Sequence, residues 1–202
     1  MALTNLAGLR AAALAWIERT GDPAAETIVD DCVTLCESRI NKTPDFRISH
    51  METSATITLE DGSAYLPSDF LAMKRVVAAT STPYVLDYAE PGTYGPTASA
   101  PWEGQFYTIV GLKIRARTSS TLTILYYARV PALTGTDNTN WLLSKAPDIY
   151  LYGTILEMLV ALEGEQQDKY AGLFSAALES LIQSETYSRG GALRQHASMP
   201  AP

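Results

Sequence analysis

Met51-Glu52-Thr53-Ser54-Ala55-Thr56-Ile57-Thr58-Leu59-Glu60 is the stretch at which the chain changes its hydrophobic period. Ala55, Ile57 and Leu59 alternate with Ser54, Thr56, Thr58 and Glu60, and a period of two is that of a strand with one buried face. Upstream the period is helical: Leu6, Leu9, Ala13, Trp16 and Ile17 recur at three and four and line one face of a first helix. Gly21 ends it, and Asp22-Pro23 supplies an N-cap and a first-turn proline for a second helix that runs to about Asn41. Val29, Cys32, Val33, Cys36 and Ile40 line its apolar face, with Glu26, Asp30, Glu37 and Lys42 largely elsewhere. Residues 1–45 therefore read as an antiparallel helical hairpin, closed by Pro44.

Downstream, Asp61-Gly62 marks a turn, and Leu66-Pro67-Ser68-Asp69-Phe70-Leu71 reads as a short capped turn into a strand over 73–79. Further strands are predicted over 84–88, 105–110, 112–117 and 122–130, with Gly111 in a tight connection. Residues 46–133 thus form an inserted antiparallel β domain of five or six strands. Between 89 and 104 lie three prolines, three glycines and Trp102, which predicts a long loop of the kind that carries contacts. After a polar link over 134–140, Pro147 opens a helix with Ile149, Tyr152, Ile155, Leu156 and Leu159 on one face. Tyr170, Leu173, Phe174, Ala177, Leu178, Leu181 and Ile182 mark the next one. Residues 141–186 read as a C-terminal helical hairpin packing with 1–45, and 187–202 as an extended tail. The expected fold is α+β: a four-helix bundle formed by the two hairpins, with the β domain between them.

The 202 residues are 47% hydrophobic and 18% charged, and the mean hydropathy is near zero, the profile of a globular chain. The longest apolar stretch, 149–162, is broken by Gly153, Thr154 and Glu157 and is too short to cross a bilayer. No basic region followed by an apolar run and a cleavage site opens the chain, so cytoplasmic synthesis is expected. The net charge of −7 argues against binding DNA through its phosphates. The acid concentrates in the helical segments: 141–186 holds seven acidic and two basic residues, whereas 187–202 holds none and two.

Residue types that would carry catalysis are not arranged for it. There is no glycine-x-serine-x-glycine elbow, and Gly92 and Gly95 are followed by no phosphate-binding lysine. His50 could act as a base in principle, but a surface histidine at a strand start is the ordinary reading. Asp30-Asp31, and Glu163 with Glu165, point to different sides of their helices and read as solvated faces. The tyrosines, among them Tyr126-Tyr127, Tyr150 and Tyr152, read as packing groups. Cys32 and Cys36 share one helix face but lack two further ligands, so they read as buried free thiols, with no metal and no cofactor implied.

The run Thr139-Asn140-Trp141-Leu142-Leu143-Ser144-Lys145-Ala146-Pro147-Asp148-Ile149-Tyr150-Leu151-Tyr152-Gly153 resembles a signature of tailed-phage head-to-tail adaptor (neck) proteins. Met51 to Ile57 with Asp61-Gly62, the Leu66 to Leu71 turn, Tyr126 to Leu133 and Leu35 to Asn41 match that family in order, so the resemblance spans about residues 3 to 185. The family is in turn similar to the gatekeeper or tail tubular proteins of short-tailed phages.

The resemblance implies a structural virion protein of the neck, made in the host bacterial cytoplasm, and no enzyme. Its copies, twelve on a twelve-fold portal in that family's pattern, would form a ring beneath the portal, connecting capsid to tail and lining the DNA exit channel. The implied partners are the portal protein, a downstream tail or nozzle protein, further copies of the chain and genomic DNA that passes without sequence-specific binding. In that frame Arg189, Leu193, Arg194 and Met199 of the tail are the expected portal contacts, and Tyr94 and Trp102 of the long loop the expected contacts to the next tail component. The cysteine pair departs from the family pattern and leaves cross-linking between subunits open. The competing reading is a small β ligand- or receptor-binding module on a helical stalk.

Overall fold

A computed structural model describes residues 3–92, 105–117 and 120–188. The chain divides into two compact units, one formed by Met1–His50 with Val130–Pro202 and the other by Met51–Arg129. Among the described residues there are five α-helices, one short 3-10 turn at Ser49–Met51 and seven strands, so the fold is mixed α and β.

In the helical unit, α1 (Leu6–Trp16) begins at Asn5, whose side chain accepts the Gly8 amide at 2.8 Å. Asp22 accepts the Ala24 amide at 3.0 Å and caps α2 (Pro23–Lys42), with Pro23 in the first turn as the sequence indicates. A one-turn helix, α3 (Trp141–Lys145), precedes α4 (Pro147–Ala161), and α5 (Gln167–Thr186) follows. The sequence reading missed α3 because five residues are too few to show a period. Its N-cap is Asn140, whose side chain accepts the Leu143 amide.

Helix α4 is the hub, with α1, α2, α3 and α5 all packed against it. Nine of its residues are buried, from Ile149 to Met158, so it is apolar nearly all round rather than on one stripe. The N-terminal helices accordingly lean more on α4 than on each other. On α2 the anticipated face is buried as expected, but Glu37 is buried too, only 6% exposed. On α1 the reverse correction applies: Trp16, assigned to the apolar face, is 52% exposed.

Both interhelical turns bend through a left-handed residue that is not glycine. Helix α1 ends with Glu18 at φ 56°, and α4 with Glu163 at φ 52°. The Arg19 amide donates to the Leu14 carbonyl at 2.9 Å and the Gly164 amide to the Leu159 carbonyl at 2.8 Å, so the two ends share one Schellman geometry. A side chain in this conformation costs about 1 kcal/mol relative to glycine.

In the second unit the strands are β1 (Glu52–Thr58), β2 (Ser63–Tyr65), β3 (Phe70–Ala78), β4 (Tyr84–Tyr88), β5 (Phe106–Val110), β6 (Lys113–Ala116) and β7 (Thr121–Ala128). They form one sheet in the order β1-β7-β3-β4-β5-β6-β2. The alternation read at 54–60 is present, with Ala55, Ile57 and Leu59 turned inward. Strand β2, three residues long, was not anticipated, and β3 takes in Phe70 and Leu71 with register shifts against β7.

A second correction concerns polarity. Strands β4 and β5 pair in parallel, Asp87 with Phe106 and Tyr88 with Tyr107, so the sheet is not purely antiparallel. Parallel neighbours need a connection of a dozen residues or more, which is the physical reason for the long 89–105 segment. The Asp61-Gly62 turn has positive φ at both positions and joins Glu60 to Ser63, bringing the two outermost strands together at one end. The sheet therefore curls over a core of Leu59, Val76, Leu86, Ile114, Leu122, Ile124 and Tyr126.

Gly153 is the tightest point of the helical unit. A Cβ there would lie 2.9 Å from Cε2 of Phe174 on α5 and nearer still to Cys36 Sγ on α2. Replacing Gly153 with alanine is expected to lower unfolding stability by about 2–3 kcal/mol, despite alanine's better helix propensity. Urea denaturation would measure it, and a gain in stability would contradict the packing described.

Candidate functional site

The conspicuous run 139–153 builds a buried polar pin. Asn140 Oδ1 accepts the Leu143 amide at 2.8 Å, while its Nδ2 donates to the Pro131 carbonyl at 2.6 Å and the Tyr150 hydroxyl at 2.7 Å. Tyr150 in turn donates to Glu37 Oε1 at 3.1 Å, which also accepts the Leu133 amide at 2.7 Å. The returning segment after β7 is thereby tied to α2, α3 and α4 at once. Burial pushes the Glu37 carboxyl up, opposed by its two hydrogen bonds, and burial with the nearby Glu37 charge pushes the Tyr150 hydroxyl up as well. A carboxyl and phenol held this way orient backbone.

A second cluster closes the C-terminal end of α5. Glu185, 4% exposed, accepts from Lys145 Nζ and Ser49 Oγ and lies 3.5 Å from His50 Nδ1. His50 stacks on Trp141, with centroids 5.5 Å apart, so the histidine weighed as a base is a packing and charge partner here. The hydrogen bonds from Lys145 and Ser49 hold the Glu185 carboxyl down at about 2. Arg39 pairs with Glu157 between α2 and α4, at 2.6 Å from Nη2.

Both cysteines are free and buried against α4. Burial pushes the Cys32 thiol up to about 11, with Glu157 and Asp31 adding to it, and raises Cys36 further. Thiols so placed are poor nucleophiles and are not presented for cross-linking between subunits. Among the described residues no group of three potential metal ligands comes together, and no helix is long and apolar enough to cross a membrane.

What the surface offers instead is exposed apolar side chains. On the helical unit these are Trp16, Leu35, Val160 and Tyr187; on the β unit they are Tyr65, Tyr84, Val85, Tyr88, Val110 and Leu112. Leu112, 73% exposed, sits in the β5–β6 turn with Gly111, and Tyr65 beside it carries Lys113 Nζ over its ring at 4.4 Å. Exposed apolar side chains of this size are candidates for contact surfaces where they adjoin one another. Arg189, Leu193, Arg194 and Met199, like Tyr94 and Trp102, lie outside the described residues. Trp16 reads as a core residue in the sequence, and Tyr65 and Leu112 carry no mark there, because exposure of an apolar residue inside or beside a periodic element has no signal in one sequence.

The comparison with protein families decides the class: the family model of the SU10 adaptor protein matches residues 4–196. The chain belongs to the SU10 adaptor protein family. No curated protein matches it. This adaptor is thus a phage structural protein of the virion neck, of a kind that is not normally enzymatic, and the match spans both of its units.

Two titrations follow with opposite signs. Glu185 is held below the ordinary carboxyl value of 4.5, so its stabilisation is present above that pH and drains away as pH falls from 4.5 toward 2. Glu185→Gln should remove about 2 kcal/mol at neutral pH, allowing for the partial exposure of Lys145 and His50, and should flatten the acid limb of the stability curve. An unchanged limb would count against the cluster. Glu37 is held above its ordinary value, so lowering pH through its folded pKa relieves a buried charge and adds stability. Glu37→Gln keeps an acceptor and should stay within about 1 kcal/mol of the parent at pH 7, whereas Glu37→Leu strands the Leu133 amide and Tyr150 hydroxyl and should cost about 2–4 kcal/mol. Equal losses in urea melts of the two variants would show that the charge, not the acceptor, matters.

Proposed function

We propose that this adaptor assembles as a ring beneath the portal, joining capsid to tail and lining the channel through which DNA leaves. The observation that carries the reading is the adaptor-family match over residues 4–196, and the exposed apolar groups on both units supply surfaces for it. The four long helices α1, α2, α4 and α5 act as a bundle that packs beside its neighbours, and the β unit meets the next tail component with Tyr94 and Trp102. Twelve copies would match a twelve-fold portal. The segment with Arg189, Leu193, Arg194 and Met199 anchors on the portal. The acid-rich helical segments keep phosphates from adhering to the channel at short range.

Mixing the purified chain with portal rings tests this directly by electron microscopy. Added density on the portal, absent when the chain is cut after Thr186, is the expected outcome. Bare portals at saturating protein would refute the ring, and decoration by the shortened chain would refute the role of the segment removed.

A further inference from the structure

The α1–α2 and α4–α5 turns of the helical unit border an open cavity lined by Trp16, Glu18, Arg19, Glu165, Gln166 and Tyr170. The half-exposed Trp16 ring lies 6.0 Å from Tyr152, and Tyr152 lies 6.5 Å from Tyr170, so three aromatic rings run in series beside it. The basic groups nearby are already engaged: Arg19 pairs with Asp22 at 3.0 Å, and Lys169 Nζ lies 5.3 Å from the Tyr170 centroid. Aromatic faces beside free-standing carboxylates suit a guanidinium, which is planar, weakly hydrated and able to stack while it donates to oxygen.

The chain itself carries such a group. Residues 187–202 contain Arg189 and Arg194, with Leu193 between them, and no acidic side chain. Reach decides which copy's cavity they can enter. The cavity sits at the first turn of α5, and the segment leaves from that helix's last turn, about 30 Å away along its 20 residues. From Ser188 to Arg194 a fully extended chain covers only about 20 Å, before any length is spent on reversing direction. An arginine of a second copy meets no such limit.

We propose that in the assembled ring the C-terminal segment of one copy crosses the Trp16 cavity of the next and seats Arg194 between the Trp16 ring and the carboxylates of Glu18 and Glu165. The inference rests on the ring reading above and adds an intersubunit contact to it. The eight residues after Arg194, Met199 among them, remain to reach the portal, about 27 Å when extended.

The test is a full-length chain carrying Glu18→Cys and Arg194→Cys, assembled on purified portal rings and oxidised mildly; the native Cys32 and Cys36 are buried and do not compete. A ladder of covalent multimers on a non-reducing gel, missing from either single variant, is expected. A cross-linked monomer of altered mobility would overturn the exchange between copies, and rings without any ladder would overturn the cavity assignment. If the unsubstituted chain leaves the portal bare, it is the ring reading that falls, and this proposal with it. Glu18→Gly gives an independent check: relief of the left-handed residue should raise Tm by about 2–4 °C, while portal occupancy at limiting concentration falls several-fold. A higher Tm with undiminished occupancy would show that Glu18 serves no contact.

Discussion

A backbone amide that returns from a sheet into a helical core must find an acceptor, and in this adaptor the acceptor for Leu133 is the buried carboxylate of Glu37. The rest of the helical unit is arranged around that requirement. Glu37 needs a second donor to offset its own burial, and Tyr150 supplies it. Tyr150 is held in place by Asn140, and Asn140 can do so because it also caps α3. One chain of hydrogen bonds thus fixes where the polypeptide re-enters the unit after its 79-residue excursion through Met51–Arg129. Removal of a middle member would leave several buried donors unpaired together, which is why such networks are worth more than their pairwise parts.

The same unit spends stability in some places and gains it in others. Gly153 sits mid-helix, where glycine is unfavourable, because α2 and α5 approach α4 too closely for a Cβ. Glu18 and Glu163 occupy turn positions where glycine would be more comfortable. The two departures have opposite logic. Packing explains the glycine fully, since any larger residue collides with Phe174. Nothing in the packing explains the glutamates, whose conformation is strained and whose neighbours would tolerate glycine, so their side chains are the feature that needs a use outside the isolated fold.

Much of this was legible in the sequence because it follows from period and punctuation. The helix faces of α2 and α5, the Asp22-Pro23 start, the alternation at 54–60 and the Asp61-Gly62 turn are all local signals, and the structure contains each of them. What escaped was set by distant partners. Glu37 reads as a solvent-facing acid until Leu133, 96 residues away, donates to it. Trp16 reads as core until the end of α1 is found beside an open cavity. The parallel pairing of β4 with β5 has no mark in either strand and shows only as the length of the segment between them. The adaptor signature around Asn140 was visible as a pattern, yet its meaning as a pin between α2, α3 and α4 required coordinates.

The distribution of burial also bears on how an assembly of such chains would behave. The buried carboxyls among the described residues are either paired, as Glu185 and Glu157 are, or hydrogen-bonded, as Glu37 is, so none of the three needs a neighbouring copy to satisfy it. Among the described residues, exposed apolar side chains occur on each of the two units. If copies of this chain assemble on a portal as proposed, individually weak contacts would suffice, because a ring that holds them at the right spacing makes each contact act at high effective concentration. On that proposal the template, more than the affinity of copy for copy, would set when the ring forms.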